Sequence, residues 1–244
     1  MSEQNPIEKC SQCESELFDQ FCSSCGHPRK PNKINGQYIL SELRGILDFE
    51  KGIFFTIKEL LLRPGENVEK FIQEDRNRLV KPVVFIIICS LVYTVIQNVF
   101  HFEDGYVGFS IGQDSAAETI SQLISENYGY ANIIIATLVA FWIKLFFKKY
   151  NYNYFEILIL VSYVMGVGML IFSFFGIIDS LVELKVADKG YLIGVLYVSW
   201  GIGQFFDKGK IPGYLKGFAS YMIGMSSFMV AAMLLGLLID LMNK

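Results

Sequence analysis

The sequence is poor in charge, in histidine and in catalytic motifs. Only 18% of its 244 residues are charged, whereas a soluble globular domain carries about a quarter. Histidine occurs twice, at His27 and His101, and the chain has no HExxH, GxSxG, P-loop or paired DxxD motif. The net charge of −3 gives no support for a nucleic-acid-binding protein. These absences exclude the common hydrolase and nucleotide-binding signatures, and we expect a protein that is not an enzyme.

A secretory signal is also missing from the start of the sequence, because the first thirty residues are polar and contain no apolar stretch of the required kind. We therefore expect the amino terminus to lie in the cytosol, where thiols stay reduced. Hydrophobic residues make up 52% of the chain and aromatic residues 15%. Lipid explains that excess better than a large soluble core does. The composition thus predicts an all-α polytopic membrane protein.

Four of the five cysteines form two CxxC pairs separated by eight residues: Cys10, Cys13, Cys22 and Cys25. Each pair is typical of a tight turn that directs two thiolates at one point, which predicts one structural Zn²⁺ held by four sulfur ligands in a zinc ribbon over residues 1–30. Two disulfides, a redox-active CxxC and rubredoxin-like iron are the alternatives. Cys89 lies in an apolar run and is interpreted as a small buried hydrophobic residue.

Two segments separate the ribbon from the apolar part of the chain. Residues 31–36 are interpreted as a linker, because proline, glycine and cations disfavour regular structure there. Residues 37–81 show helical spacing of apolar positions, but the runs are too short to cross a bilayer about 30 Å thick. We expect amphipathic helices that lie in the membrane interface or pack beneath the membrane domain; a cytosolic domain that packs on itself is the alternative.

Residues 82–244 are interpreted as a domain of about five membrane spans: 82–100, 131–147, 155–178, 190–206 and 214–242. The loop 101–130 contains no lysine or arginine, whereas lysines mark the loops after the second and fourth spans. The positive-inside rule then places the amino terminus in the cytosol and the loop 101–130 and carboxyl terminus outside. Within that loop, Ser115 to Glu118 form a capping box that predicts a short amphipathic helix ending at Gly129.

The predicted spans carry no charge near their centres, which removes the usual mark of a transport pathway. Mildly polar side chains remain, and Tyr93, Gln97 and Tyr163 are candidates for lining a small cavity; hydrogen bonding between helices is the alternative. The fifth span carries a stripe of small residues at alternating spacings of three and four: Gly217, Ser220, Gly224, Ser227 and Ala231. This stripe predicts close packing against another helix of the same chain or against a partner protein.

The chain resembles an uncharacterised bacterial family of unknown function that joins an N-terminal double-CxxC ribbon to several membrane spans. The residues that carry the resemblance are Phe21-Cys22-Ser23-Ser24-Cys25-Gly26, Thr56, Leu60, Pro64-Gly65, Phe71-Ile72, Arg76 and Pro82. Family members often have a basic Gly-Lys-Arg-like step where this chain has Glu74-Asp75-Arg76. The layout is also similar to that of Yip1-type membrane proteins, by analogy of architecture. The resemblance implies a bacterial cytoplasmic (inner) membrane protein and no particular activity.

These observations lead to a functional hypothesis of a docking, assembly or regulatory subunit. The cytosolic ribbon and the helical surface would bind membrane lipid and another membrane or cytosolic protein, for instance in an export or envelope-assembly complex. Nucleic acid and the ribosome are disfavoured as partners, because Lys9 is the one cation among several acidic residues in the segment 1–27. The alternative is a small transporter or channel that uses the mildly polar residues of the spans.

Overall fold

The fold was obtained as a computed structural model, which describes residues 10, 13, 15, 16, 20, 22–25, 52–100, 120, 123, 124, 128–182 and 187–242. The chain divides into two compact units, Met1–Ile46 and Leu47–Lys244. The predicted linker, the first amphipathic stretch and most of the loop 101–130 lie outside the described residues.

The described residues form seven α-helices and no β-strand, which confirms the all-helical prediction. Two short helices come first and five longer ones follow: α1 (Ile53–Leu62), α2 (Pro64–Gln73), α3 (Pro82–Phe100), α4 (Tyr128–Phe146), α5 (Tyr154–Val182), α6 (Ala187–Phe206) and α7 (Ile211–Met242).

Three of these helices, α3, α5 and α7, are long and apolar enough to cross a membrane. Their 19, 29 and 32 residues correspond to roughly 29, 44 and 48 Å of helix at 1.5 Å per residue. The described apolar part of α4, Ala131–Phe146, is shorter, and α6 opens with Asp188 and Lys189. The three long helices agree with a membrane protein, while the prediction of five spans rests on α4 and α6 as well.

One local prediction for the loop before α4 is wrong. Gly129 was expected to end a helix, but it lies in the first turn of α4, which begins at Tyr128. A glycine inside a helix costs only about 1 kcal/mol relative to alanine. The long apolar run that follows, from Ala131 onwards, outweighs that cost, so the glycine does not set the boundary.

Helix α5 lies at the centre of the larger unit. In its most apolar stretch 72% of the residues are buried, against 28% in α3 and in α7. It packs against α3, α4 and α6, while α7 packs against α4 and α6. Glycine lets α5 and α6 approach closely, because a Cβ added at Gly194 would lie 3.3 Å from the carbonyl oxygen of Gly168. The interior of the bundle is therefore built around α5.

Helices α1 and α2 form a hairpin that packs on α5 and α6. Its buried side includes Leu60, Val68 and Phe71, each with at most 3% of its surface exposed. The outer side of α1 exposes Phe54 and Leu62. This hairpin belongs to the same compact unit as the long helices, so its described part does not form a separate domain packing only on itself.

Candidate functional site

The candidate metal centre is the group of four thiols in the first unit. The Sγ atoms of Cys10, Cys13, Cys22 and Cys25 all lie within 4.8 Å of one another. Cys10 and Cys22 are buried, with 2% and 3% of their surfaces exposed, whereas Cys13 and Cys25 face outwards. The turn that presents the first pair is closed by a hydrogen bond of 2.9 Å from the Cys10 backbone N–H to the Ser15 carbonyl.

The sulfur spacing fits a single tetrahedral metal ion. The Sγ distances are 3.6 Å for Cys10–Cys25, 3.5 Å for Cys13–Cys22 and 3.4 Å for Cys13–Cys25. Four sulfurs placed at 2.3 Å from a tetrahedral zinc would lie about 3.8 Å apart. No disulfide joins these four cysteines, and their sulfur separations are far from the roughly 2.05 Å of a disulfide. The four cysteines can therefore bind a metal ion as they stand, and the disulfide alternative does not describe them.

The hydroxyl of Ser15 is a contributor to this site that the cysteine spacing did not reveal. Its Oγ lies 2.9 Å from the Cys13 Sγ and 3.1 Å from the Cys22 Sγ. This contact is the largest cause that lowers the pKa of Cys13 and that of Cys22, and backbone hydrogen bonds with Cys25 and Ser24 help to lower the pKa of Cys22 to about 5. Because thiolates are the form that binds metal, the Ser15 hydroxyl favours the ligand state of both cysteines. The one sign of this contact in the sequence is that a serine stands two positions after Cys13.

Four protein ligands leave no open position for a substrate on a tetrahedral ion. Sulfur ligands favour zinc, copper(I) or iron, rather than calcium or magnesium. The arrangement is therefore suited to holding a fold together, and the ion would replace the apolar core that so short a segment lacks.

The second candidate site is the seam between the α1–α2 hairpin and α6. The N–H of Gly65 donates a hydrogen bond of 2.8 Å to the Oε1 of Gln204. A Cβ added at Gly65 would lie 2.4 Å from the backbone nitrogen of Phe205 and 2.7 Å from the carbonyl carbon of Gln204. Pro64 packs on α6 in the same way, since a Cβ at Gly201 would lie 3.3 Å from its side chain. The hairpin thus meets α6 backbone to backbone.

Two tyrosine hydroxyls hold the main chain of this N-terminal region. Tyr197 of α6 donates a bond of 2.9 Å to the carbonyl of Leu60, and Tyr163 of α5 donates one of 2.6 Å to the carbonyl of Val80. Leu60 lies in the last turn of α1, where helix carbonyls lack partners within the helix. The bonds satisfy backbone oxygens next to the bundle, and they fix the turn between α1 and α2 and the segment that leads into α3.

Two ion pairs lie near the seam, at one end of the bundle. Glu66 of α2 pairs with Lys208, which follows α6, and this pairing lowers the pKa of Glu66. Asp207 pairs with Lys149, in the connection between α4 and α5, at 3.6 Å. A hydrogen bond with Tyr150 is the largest cause that lowers the pKa of Asp207. The hairpin and the two lysine-containing connections therefore lie at the same end of the helices.

The predicted stripe of small residues in α7 packs largely within the chain. A Cβ at Gly217 would lie 2.9 Å from the carbonyl oxygen of Ser199 in α6, and one at Gly224 would lie 2.6 Å from Val139 in α4. Ser220 is fully buried. Ser227 accepts a hydrogen bond of 2.9 Å from the indole nitrogen of Trp142. Only Ala231 of the five is exposed. The other four residues of the stripe therefore pack against helices of the same chain.

A small cavity lies beside Tyr93, one of the three residues predicted to line a cavity. Tyr93 lines a cavity of about 20 Å³ together with Asn132, Met165, Met169 and Tyr221. That volume holds roughly one water molecule. Gln97 and Tyr163 are not among its lining residues, and the hydroxyl of Tyr163 bonds to Val80 instead. The alternative interpretation, hydrogen bonding between elements, describes Tyr163.

Comparison with known proteins found a family model that matches the segment containing the hairpin. The model of a family described as a protein of unknown function (DUF3667) matches residues 50–94. No curated protein and no solved structure matches the chain. The matched segment contains α1, α2 and the first part of α3, together with Gly65, Leu60 and Val80 at the seam. The chain is thus similar to that family in the segment that packs on α5 and α6.

Proposed function

We propose that the protein is a non-enzymatic integral membrane protein that docks a partner through a zinc ribbon. In this proposal Cys10, Cys13, Cys22 and Cys25 bind one structural Zn²⁺ over residues 1–30. The helical unit anchors the ribbon in the membrane and offers a surface to another membrane or cytosolic protein. An export or envelope-assembly complex at a bacterial cytoplasmic membrane is the setting that we propose for this docking.

The observation that carries this proposal is the position of the thiols in the chain. They gather in the unit Met1–Ile46, whereas the long helices belong to the unit Leu47–Lys244. A closed four-sulfur site offers stability to a small module and no catalytic position. A module without a catalytic position can act through the contacts that its surface makes, and this supports binding as its role.

The proposed topology has five spans, with the amino terminus in the cytosol. Helices α4 and α6 would be the additional spans, because they pack along α5 and α7 in the same unit. The pairs Glu66–Lys208 and Asp207–Lys149 support a common side for the hairpin and the basic connections. Under the positive-inside rule that side is the cytosol.

The experiment is an affinity purification of the full chain from gently solubilised membranes. We expect a stoichiometric protein that is retained by the wild type and by Ser23→Ala but lost from Cys22→Ser. Ser23 is the matched control because it is an exposed residue of the same turn and none of the four thiols. Recovery of the chain alone, or equal recovery of the partner with Cys22→Ser, would count against docking through the ribbon.

A small transporter or channel is the second candidate, and the cavity at Tyr93 is the feature that bears on it. A transport path needs a water-accessible route across the bundle, whereas this cavity has room for about one water molecule. We place this candidate second for that reason. Flux of ions or small solutes into vesicles containing the purified protein would reverse the order.

A further inference from the structure

Four exposed lysines lie at one end of the bundle, in two connections between helices. Lys148 and Lys149 follow α4, whereas Lys208 and Lys210 lie between α6 and α7. The two connections meet at Asp207, whose side chain is only 7% exposed and contacts both Lys149 and Lys210. This end of the helices therefore presents a basic surface that is organised by one buried carboxylate.

The carboxylate of Asp207 holds two ammonium groups near each other. The Lys149 Nζ lies 3.6 Å from Oδ2 and the Lys210 Nζ lies 3.4 Å from Oδ1. The two Nζ atoms are thus at most about 9 Å apart, because two such contacts and the width of one carboxylate separate them. The Lys149 Nζ also lies 4.7 Å from the centre of the Tyr150 ring, a cation–π contact that favours this position. Both lysines keep their outer surface open, with side chains 59% and 72% exposed.

The positive charge of this surface exceeds the negative charge that it contacts. The four lysines face two carboxylates, those of Asp207 and Glu66, so these six side chains carry a net charge of +2. Each ammonium group has three N–H donors, so Lys149 and Lys210 can keep Asp207 and still donate to an added anion. Their flexible stems can bring both donors to one phosphate group. The N-terminus of α7 follows Lys210 directly, and its helix dipole adds to the positive field.

Exposed apolar side chains continue from this basic surface along two helices that pack on each other, α4 and α7. On α7, Ile211, Leu215 and Phe218 are 73%, 63% and 40% exposed. Their spacings of four and three residues place them on one face of the helix. On α4, Leu145 is 51% exposed and lies one turn before Lys149. Because α7 is long and apolar enough to cross a membrane, this apolar face is suited to hydrocarbon.

The combination of a basic end and an apolar face decides which anion fits. A free phosphate ion would use the ammonium groups and leave the apolar face uncovered. A phospholipid covers both, since its phosphate lies at the membrane surface and its acyl chains lie below. A phosphatidylethanolamine headgroup carries an ammonium group next to the phosphate, which the lysines repel. A headgroup of net negative charge is attracted by every lysine near it.

We propose that Lys149 and Lys210 bind the phosphate of an anionic phospholipid, of the phosphatidylglycerol type, whose acyl chains lie on the exposed apolar face of α4 and α7. The bound lipid ties the connection after α4 to the connection before α7 at the membrane surface. This site depends on α7 crossing the membrane and is independent of the ribbon and of its metal. Its failure would therefore leave docking through the ribbon untouched.

The test is native mass spectrometry of the full chain released from vesicles of equal parts phosphatidylethanolamine and phosphatidylglycerol. We expect the wild type to retain phosphatidylglycerol in preference to phosphatidylethanolamine. Lys149→Gln and Lys210→Gln should each lower the retained phosphatidylglycerol roughly fivefold. Asp207 keeps one lysine in each variant, so both variants should fold. Lys189→Gln is the matched control, because it removes the same charge from an exposed lysine at the opposite end of α6.

The outcomes separate a built site from general attraction to a charged membrane. Equal retention of the two lipids by the wild type would overturn the proposal, whatever the variants do. If Lys189→Gln lowers retention as much as Lys149→Gln and Lys210→Gln do, the effect belongs to overall charge and the assignment to this site is wrong. If one of the two variants does not fold, the other still decides against the same control.

Discussion

Replacing Gly65 by alanine should loosen the α1–α2 hairpin from α6. The added Cβ would lie 2.4 Å from the Phe205 nitrogen, 2.7 Å from the Gln204 carbonyl carbon and 2.9 Å from the Phe205 Cα. All three are backbone atoms of a helix, which cannot rotate aside as the end of a side chain can. The hairpin must therefore move by about an ångström or more, and the hydrogen bond from the Gly65 N–H to Gln204 is strained or lost.

The expected cost follows from these contacts. Overpacking of this kind typically costs 1–3 kcal/mol, and a lost hydrogen bond adds about 1 kcal/mol. Alanine returns up to about 1 kcal/mol through its better helix propensity. The net destabilisation is then roughly 1–3 kcal/mol. For a chain of this size, that corresponds to a fall in melting temperature of roughly 2–12 °C.

The assay is thermal unfolding of the purified protein in one detergent, together with limited proteolysis of the hairpin. Lys70→Ala is the control, because Lys70 lies on the exposed side of α2 and should change stability by less than about 0.5 kcal/mol. We expect earlier melting and faster cleavage within residues 53–73 for Gly65→Ala. If Gly65→Ala melts and is cleaved like Lys70→Ala, the close approach of α2 to the α6 backbone is wrong.

Four further predictions concern the metal, its pH dependence, the seam and the topology. The purified full chain should contain one zinc, and X-ray absorption should show four sulfur ligands at about 2.3 Å; an iron spectrum or near-zero metal would defeat the assignment. The folded-state pKa of Cys22, about 5, lies below the ordinary thiol value of 9.0, so the stabilisation by its thiolate is present above pH 9 and is lost as the pH falls towards 5. Because Cys22 is a thiolate at pH values above about 5, protons compete with metal for its sulfur only as the pH approaches that value. A chromogenic chelator should therefore take up metal there, and release that already begins near pH 9 would contradict the shift. Tyr197→Phe leaves the Leu60 carbonyl without the tyrosine hydroxyl and should cost about 1–3 kcal/mol in thermal unfolding, whereas an unchanged melting temperature would show that water replaces the bond. Ser115→Cys should react with an impermeant maleimide from the extracytoplasmic side, and protection there would reverse the proposed orientation.

The metal cluster was predictable because its information is local. Two CxxC pairs at short spacing constrain four sulfurs to one point whatever the rest of the chain does. The role of Ser15 was not predicted, because the spacing of cysteines says nothing about which hydroxyl faces them. The metal's identity stays a prediction for a related reason, since a four-thiolate cage suits iron as well as zinc.

The helices were predictable in type and less so in their contacts. Long apolar runs predict α3, α5 and α7, because length and hydrophobicity are properties of each segment itself. The seam of the hairpin was not predictable, because the partners of Gly65 and Leu60 lie about 140 residues later in the chain. The partner of the Tyr163 hydroxyl, the Val80 carbonyl, was not predictable for the same reason, because a hydroxyl in an apolar run bonds to whichever carbonyl the fold brings to it.

The hydroxyl of Thr56 makes two hydrogen bonds at the start of α1. It donates to the Gly52 carbonyl at 3.0 Å and accepts from the Val80 N–H at 3.0 Å, so it ties the first turn of α1 to the residues just before α3. Separating the first turn of α1 from the segment before α3 would therefore break the hydrogen bond from the Val80 N–H, so this one side chain couples the unfolding of α1 to the position of Val80.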